Sequence, residues 1–365
     1  MSNTVHIAAA INKKYLPYCS VMVSSVFRHR NPNRNYIVHV LSANVTLDDL
    51  KIAVPYADEQ FAIELVDVSD VNERFKTFDF GPFFGPECVY RLSLGALLPD
   101  VEKIVYLDAD LVVLDDISKL FDLDLGQNII GAVRDIGTAG MVSGYAVGEA
   151  ERLSSLGIPS GVDYFNSGVL LMDIAEMKDQ VTLEEYSRWI NDHQPSYPDQ
   201  DFLNSAFADS VLFLPMKWNV LFDSEGIRVK EIASCAPQNM LHSYLEARLK
   251  PSIFHYAGPL KPWMQSVDGS DLFWSEARFS PLYESVLERY LSRPFDDSID
   301  NALKPAWETF DDLYFKVSEA ERIRADLHRR LTDAEKRIDE LQASVDELKK
   351  LKTPLINKVY ARIKK

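Results

Sequence analysis

Asp108 and Asp110 stand one residue apart in "IVYLDADLVVLDD" (residues 104–116), at the end of an apolar run that reads as a buried strand. A carboxylate at the tip of a strand in an α/β sheet faces the crevice where ligands bind. Two carboxylates on one turn raise each other's pKa unless a cation lies between or beside them. A divalent ion answers that repulsion, and oxygen ligands favour Mg2+ or Mn2+, which keep positions open for a diphosphate. Read alone, D-A-D is a weak signal, because acids often cap the loop after a strand. Asp115 and Asp116 read as the start of the next helix, before "ISKLF", rather than as ligands.

The chain before these acids supplies the scaffold they need. "VHIAAAI" reads as a buried strand, "SVMVSSVFRHR" as a helix, "YIVHVLS" as a second strand, "LDDLKIAV" as a helix and "FAIELVDV" as a third strand. With "KIVYLDADLVVL" and "IIGAVRD", this βαβαβ alternation predicts an α/β fold. Its sheet is mostly parallel with helices on both faces, and its ligand crevice lies at the carboxyl ends of the strands. No G-x-G-x-x-G follows the first strand, so a dinucleotide fingerprint is missing. Residues 136–164, rich in Gly, Ala and Ser, read as loops and short helices over the crevice. "YFNSGVLLMDI" resumes as a strand, followed by helices at "LEEYSRWINDH" and "DFLNSAFA" and short strands at "VLFLP" and "SIFHYA".

The 365 residues, 47% hydrophobic and 26% charged, suffice for one large or two ordinary domains, and the formal net charge of -16 argues against nucleic acid as a partner. Cys19, Cys88 and Cys235 lie far apart, which signals neither a disulfide framework nor a zinc cluster. A basic start followed by an apolar run is missing, and no stretch reaches the roughly 20 apolar residues of a membrane span. A cytosolic setting is therefore expected.

From residue 317 to 352 the composition turns to Glu, Lys, Arg, Asp, Leu and Ala, with Leu327, Leu331, Ala334, Ile338, Leu341, Val345 and Leu348 at alternating steps of four and three. That stripe predicts a C-terminal helical coiled coil and hence a homo-oligomer; one long helix docked on its own domain is the competing reading. Residues 349–365 carry seven basic and no acidic side chains. The tail 353–365 reads either as a short basic amphipathic helix on an anionic membrane surface or as a solvated basic end.

Four segments, in order, resemble the family 8 retaining glycosyltransferases, which include bacterial lipopolysaccharide galactosyl- and glucosyltransferases and the glycogenins: "VYRLSLGALLPDVEKIVYLDADLVV", "YFNSGVLLMDI", "PDQDFLN" and "HYAGPLKPW". The resemblance covers about residues 5–263 and implies the GT-A fold, with a catalytic domain over 1–275; a helical extension is expected separately over 276–316. It also implies that Asp108, Asp110 and His255 hold Mn2+, with Mg2+ as a substitute. Ala109 falls between the two acids in the donor-binding set. On its own His255 would read as a satisfied core histidine, and Lys261 as a surface lysine. In the family pattern Gly258 lets backbone approach the diphosphate and Lys261 places its charge on the phosphate. Trp263 reads as a packing residue.

Arg91 matches the family arginine that contacts donor sugar and phosphate, against a surface salt bridge as the plain alternative. Asp135, Asn166, Asp199 and Gln200 match positions lining the donor sugar, where amides can read hydroxyls. Asp201 fits equally the cap of the helix that follows it. The implied reaction moves glucose or galactose from a UDP-sugar to a hydroxyl of a cell-surface glycan or glycolipid precursor, keeping the α configuration. Gln200 or Asp199 would be the nucleophile of a double displacement, and a same-face route remains open.

One segment departs from the family. Where A-x-D-x-x-Y holds the uracil, this chain has Ala10, Asn12 and Tyr15, so Asn12 keeps an acceptor oxygen without the charge. Two other readings stand beside the enzyme at the inner face of the cell membrane: a sugar-nucleotide-binding scaffold that recruits partners, and a self-glucosylating primer.

Overall fold

A computed structural model describes residues 3–78, 80, 84–223, 226–292, 336, 337 and 342. The chain divides into two units, Met1–Arg293 and Pro294–Lys365. The coiled coil expected over 317–352, apart from three residues, and the tail over 353–365 lie outside the described residues.

The first unit is built on β1 (Thr4–Ala10), β2 (Asn35–Ser42), β3 (Phe61–Asp67), β4 (Lys103–Leu107), β5 (Leu111–Val113), β6 (Ile130–Arg134), β7 (Phe165–Asp173), β8 (Val211–Phe213), β9 (Val220–Leu221) and β10 (Ile253–His255). Seven of these form one sheet in the order β3-β2-β1-β4-β7-β6-β8. β7 runs against both of its neighbours and the remaining pairs are parallel. The inversion has a consequence for the crevice, because β7 presents its first residues where the other strands present their last.

Alternation along the strands sorts side chains to two faces. Val105 and Leu107 of β4 join Val5, Ile7 and Ala9 of β1 in a core with Cys19, Met22, Val23 and Val26. Ile104 and Tyr106 join Ala8, Leu170 and Met172 in the opposite core with Val89, Leu94, Tyr186 and Leu203. The helix Leu16–His29 carries eleven buried residues because a third cluster, with Tyr18, Val21, Phe254, Phe273 and Val286, covers its other side. Pro17 presets its first turn. The helices Ser270–Ala277 and Tyr283–Leu291 belong to the same packing: Glu276 accepts from Arg28 at 2.5 Å, and Ser280 meets Ser20 at 2.8 Å.

The helix Leu183–His193 begins at a capping box in which Thr182 and Glu185 satisfy each other's amides. The segment read as "KIVYLDADLVVL" is not one strand. It breaks at Asp108–Asp110, and β5 leaves the large sheet to pair antiparallel with β10, which pairs parallel with β9. Among the described residues no helix is long and apolar enough to cross a membrane.

Candidate active site

Each strand of the small sheet carries a polar residue at one end. Asp110 immediately precedes β5, Asn219 immediately precedes β9, and His255 closes β10. The Tyr256 amide donates to the Asp110 carbonyl at 2.9 Å, which locks the turn of acids against the end of β10. On the large sheet, Asp108 follows β4 directly and its amide donates to the Gly168 carbonyl of β7 at 2.8 Å. The two sheets thus bring ligand atoms of Asp108, Asp110 and His255 within 4.8 Å of one another. His255 Nε2 lies 3.2 Å from Asp110 Oδ1 and 3.8 Å from Asp108 Oδ2.

Gly168 makes this approach possible. A Cβ there would stand 2.2 Å from His255 Cε1 and 2.7 Å from Asp108 Oδ2, closer than any van der Waals contact. Gly258, in the loop after β10, has φ +126°, a conformation that side-chain-bearing residues rarely adopt. Trp263 anchors the same loop, with its ring stacked 3.8 Å from that of Tyr18, in the packing role expected of it.

Lys261 is buried, and its Nζ donates to Asp110 Oδ2 and, at 2.7 Å, to the Tyr256 carbonyl. Burial pushes the Asp110 carboxyl up, but the Lys261 and His255 charges outweigh it and hold the group well below the ordinary carboxylate range. The stability from this pairing is therefore present above the ordinary carboxylate pKa and lost only in strong acid. Arg91 is buried rather than at the surface. It donates to Asp108 Oδ1 at 2.9 Å and to the Ser167 carbonyl at 2.5 Å, while its Nε lies 3.2 Å from Asp199 Oδ2. The guanidinium rests 4.2 Å over the Tyr106 ring.

Asn166, Ser167, Asp199 and Gln200 meet behind the acids, the first two from β7 and the others from the helix Pro198–Ala206. Gln200 Oε1 accepts from Asn166 Nδ2 and from the Ser167 amide, both at 3.0 Å. Asp199 Oδ2 accepts from Ser167 Oγ at 3.1 Å. Burial, reinforced by the charge of Asp108 and opposed by Arg91, pushes the Asp199 carboxyl up. Asp201 is not the helix cap: the helix starts three residues earlier at Pro198, and Asp201 instead accepts from the Tyr197 amide, the Tyr164 hydroxyl and Arg152.

Asp135 caps the helix Ile136–Gly140, its Oδ1 accepting from the Gly137 and Thr138 amides. At the end of β1, Ala10 packs on the second core. Asn12 Oδ1 accepts from the amides of Lys14 and Tyr15, and its Nδ2 donates to Glu87 at 2.9 Å. Tyr15 meets Tyr18 and Trp263 edge-on, and burial together with nearby Asp110 pushes its hydroxyl up. Ala109 is buried in the cluster of Leu107 and Leu111. Asp116 accepts from the Ser118 amide at the next helix, whereas Asp115 accepts from Lys119 and Ser252.

Sequence reasoning missed Ser167, Gly168, Asn219 and Tyr164. Asn219 Oδ1 lies 3.0 Å from His255 Nδ1. With Nδ1 turned to that oxygen, Nε2 faces two carboxylates, an arrangement that needs a proton or a cation at their meeting point. Two carboxylates and one imidazole suit Mn2+ or Mg2+, so these residues fit a divalent ion.

The model of the family described as "Glycosyl transferase family 8" matches residues 6–266. "General stress protein A" of Bacillus subtilis (strain 168) is 28% identical over 275 residues, 71% of this chain and 87% of that protein. "Lipopolysaccharide 1,2-glucosyltransferase" of Escherichia coli (strain K12) is 26% identical over 269 residues, 72% of this chain and 73% of its own length. Among solved structures, the galactosyltransferase LgtC in complex with donor and acceptor sugar analogs superposes with a TM-score of 0.62 at 25% identity, covering 80% of this chain and 98% of that one.

Proposed function

The chain belongs to glycosyl transferase family 8 and has its GT-A fold, and from that premise we propose that this hexosyltransferase moves glucose or galactose from a UDP-sugar to a hydroxyl of a cell-surface glycan or its precursor, keeping the α configuration. The observation that carries the reading is the meeting of Asp108, Asp110 and His255 within 4.8 Å. A divalent cation held there, Mn2+ or Mg2+, would neutralise charge on the departing diphosphate.

The protein's own residues do the rest. Lys261 has two of its three donors anchored, on Asp110 and Tyr256, which leaves one for a phosphate oxygen as charge develops. Arg91 holds Asp108 and Asp199 at the fixed spacing that the donor must fit. Asn166 and Gln200 offer amides to the sugar hydroxyls. The Gln200 oxygen already accepts two hydrogen bonds, which it would have to surrender to attack C1. That favours the same-face route, in which the bond from C1 to the diphosphate breaks, the acceptor oxygen bonds C1, and the acceptor proton passes to the leaving phosphate.

Incubation with a panel of nucleotide sugars, with Mn2+ or with chelator, tests the reading through nucleotide release. Release from UDP-glucose or UDP-galactose that stops with chelator is the expected result. Binding without turnover on any donor, cell-envelope extract included, would favour the scaffold instead.

The heptads of 317–352 and the basic tail support a second layer of the proposal: two or three copies joined by a coiled coil and resting on the cytoplasmic face of the membrane. Deleting residues 353–365 removes Lys358, Arg362, Lys364 and Lys365. At about 1 kcal/mol for each basic residue at an anionic surface, partition onto anionic vesicles should fall roughly 100- to 1000-fold. Undiminished binding in a flotation assay would remove the membrane contact.

A further inference from the structure

A run of side-chain hydrogen bonds connects the candidate metal ligand to the donor-sugar residues, and its direction can be deduced. The Gly168 amide, necessarily a donor, bonds Asn166 Oδ1 at 3.0 Å. That oxygen is therefore an acceptor, and the Asn219 atom 2.8 Å from it must be Nδ2. The other end of the Asn219 amide is then Oδ1, which faces His255 Nδ1 at 3.0 Å and requires a proton on that nitrogen. In the other direction the Ser167 amide fixes Gln200 Oε1 as acceptor, so Gln200 Nε2 donates to the Tyr164 hydroxyl at 3.2 Å. Tyr164 in turn donates to the Asp201 carboxylate at 2.7 Å. Every link runs the same way, from His255 through Asn219, Asn166, Gln200 and Tyr164 to Asp201, and all six side chains are buried.

We propose that Asn219 is a positioning residue for the transfer reaction: it holds His255 with the proton on Nδ1 and Nε2 toward Asp108 and Asp110, and it sets the direction in which Asn166 and Gln200 meet the sugar. The inference rests on the metal reading above. A histidine that ligates through one ring nitrogen is oriented by the acceptor at the other, and loss of such a partner costs about 10- to 100-fold in metal affinity. Asn219 differs from a simple acceptor because its Nδ2 is committed to Asn166. One amide therefore serves both the metal site and the sugar site, and a carboxylate could serve only the first.

That asymmetry gives the test. In the full-length protein, Asn219→Ala removes both arms and should weaken Mn2+ binding, followed by electron paramagnetic resonance without nucleotide, by about 10- to 100-fold. Asn219→Asp still accepts from His255 Nδ1 but has no donor for Asn166. It should hold Mn2+ within about threefold of wild type while raising the donor KM at least about tenfold, and its melting temperature should fall because a buried carboxylate oxygen would face Asn166 Oδ1 where a donor stood. Equal Mn2+ affinity in all three proteins, or equal loss in both variants, would overturn the proposal. If Asn219→Ala does not fold, Asn219→Asp decides alone, since loss of Mn2+ binding or an unchanged donor KM contradicts it. A third measurement needs no metal: 15N spectra of histidine-labelled protein, with His255 assigned by His255→Gln, should show Nδ1 protonated. A bare Nδ1 overturns this inference even where the metal reading holds, and a protonated Nδ1 in a protein that binds no Mn2+ overturns the metal reading alone.

Discussion

Asp110→Asn should lower Mn2+-dependent transfer by roughly 10³-fold, beyond the 10- to 100-fold that loss of an outer partner costs. The substitution keeps the shape of the side chain and removes its charge. The amide oxygen can still accept from Lys261, but the amide nitrogen would then point a donor at His255 Nε2, occupying the lone pair that the metal would need and leaving one carboxylate fewer around it. Lys261 is buried, so the loss of its counter-charge should also cost about 1–3 kcal/mol of stability, read as a lower melting temperature. Initial rates over a Mn2+ titration measure the first effect. An unchanged rate would remove Asp110 from the metal site.

Gly168→Ala should disable the site without removing a polar group. The new methyl would stand 2.2 Å from a buried imidazole whose far side is held by Asn219, so the ring has little room to yield. Either His255 leaves its place beside Asp108, or β7 moves away from β4 and breaks the bond from the Asp108 amide to the Gly168 carbonyl. Overpacking of this kind typically costs about 1–3 kcal/mol. Mn2+ affinity should fall at least about tenfold, by comparison with losses at groups that position ligands. Wild-type Mn2+ affinity in the variant, measured by calorimetry, would show that the three ligands need no such close approach.

The strand that ends at the acids was legible, but D-A-D alone could not separate a metal site from a loop cap; "HYAGPLKPW" supplied His255 and Lys261, which the structure brings to the same acids. The helix at 183–193 was legible because Thr182 and Glu185 carry its start signal within four residues. The break of residues 104–114 into two sheets was not. β5 is determined by pairing with β10, whose residues lie some 140 positions further on, so no local pattern distinguishes it from a continuation of β4. Asn219, in "KWNVLF", looks like any polar residue between apolar neighbours, and its role depends on His255 arriving from 36 residues away. Arg91 was singled out by the family pattern alone, since nothing local distinguishes it from a surface arginine; its burial depends on β7 and the helix Pro198–Ala206 closing over it. Gly168 could have been suspected: a glycine inside an apolar strand marks close approach, here of a side chain rather than of a ligand.

The most direct test of the central claim is an anomalous difference map at the manganese edge from crystals of the protein grown with Mn2+ and UDP. The expected peak is bounded by the carboxylates of Asp108 and Asp110 and by His255 Nε2, with the diphosphate beside it and Lys261 in contact with a phosphate oxygen. UDP bound with no manganese at those three residues, or manganese bound elsewhere, would contradict it.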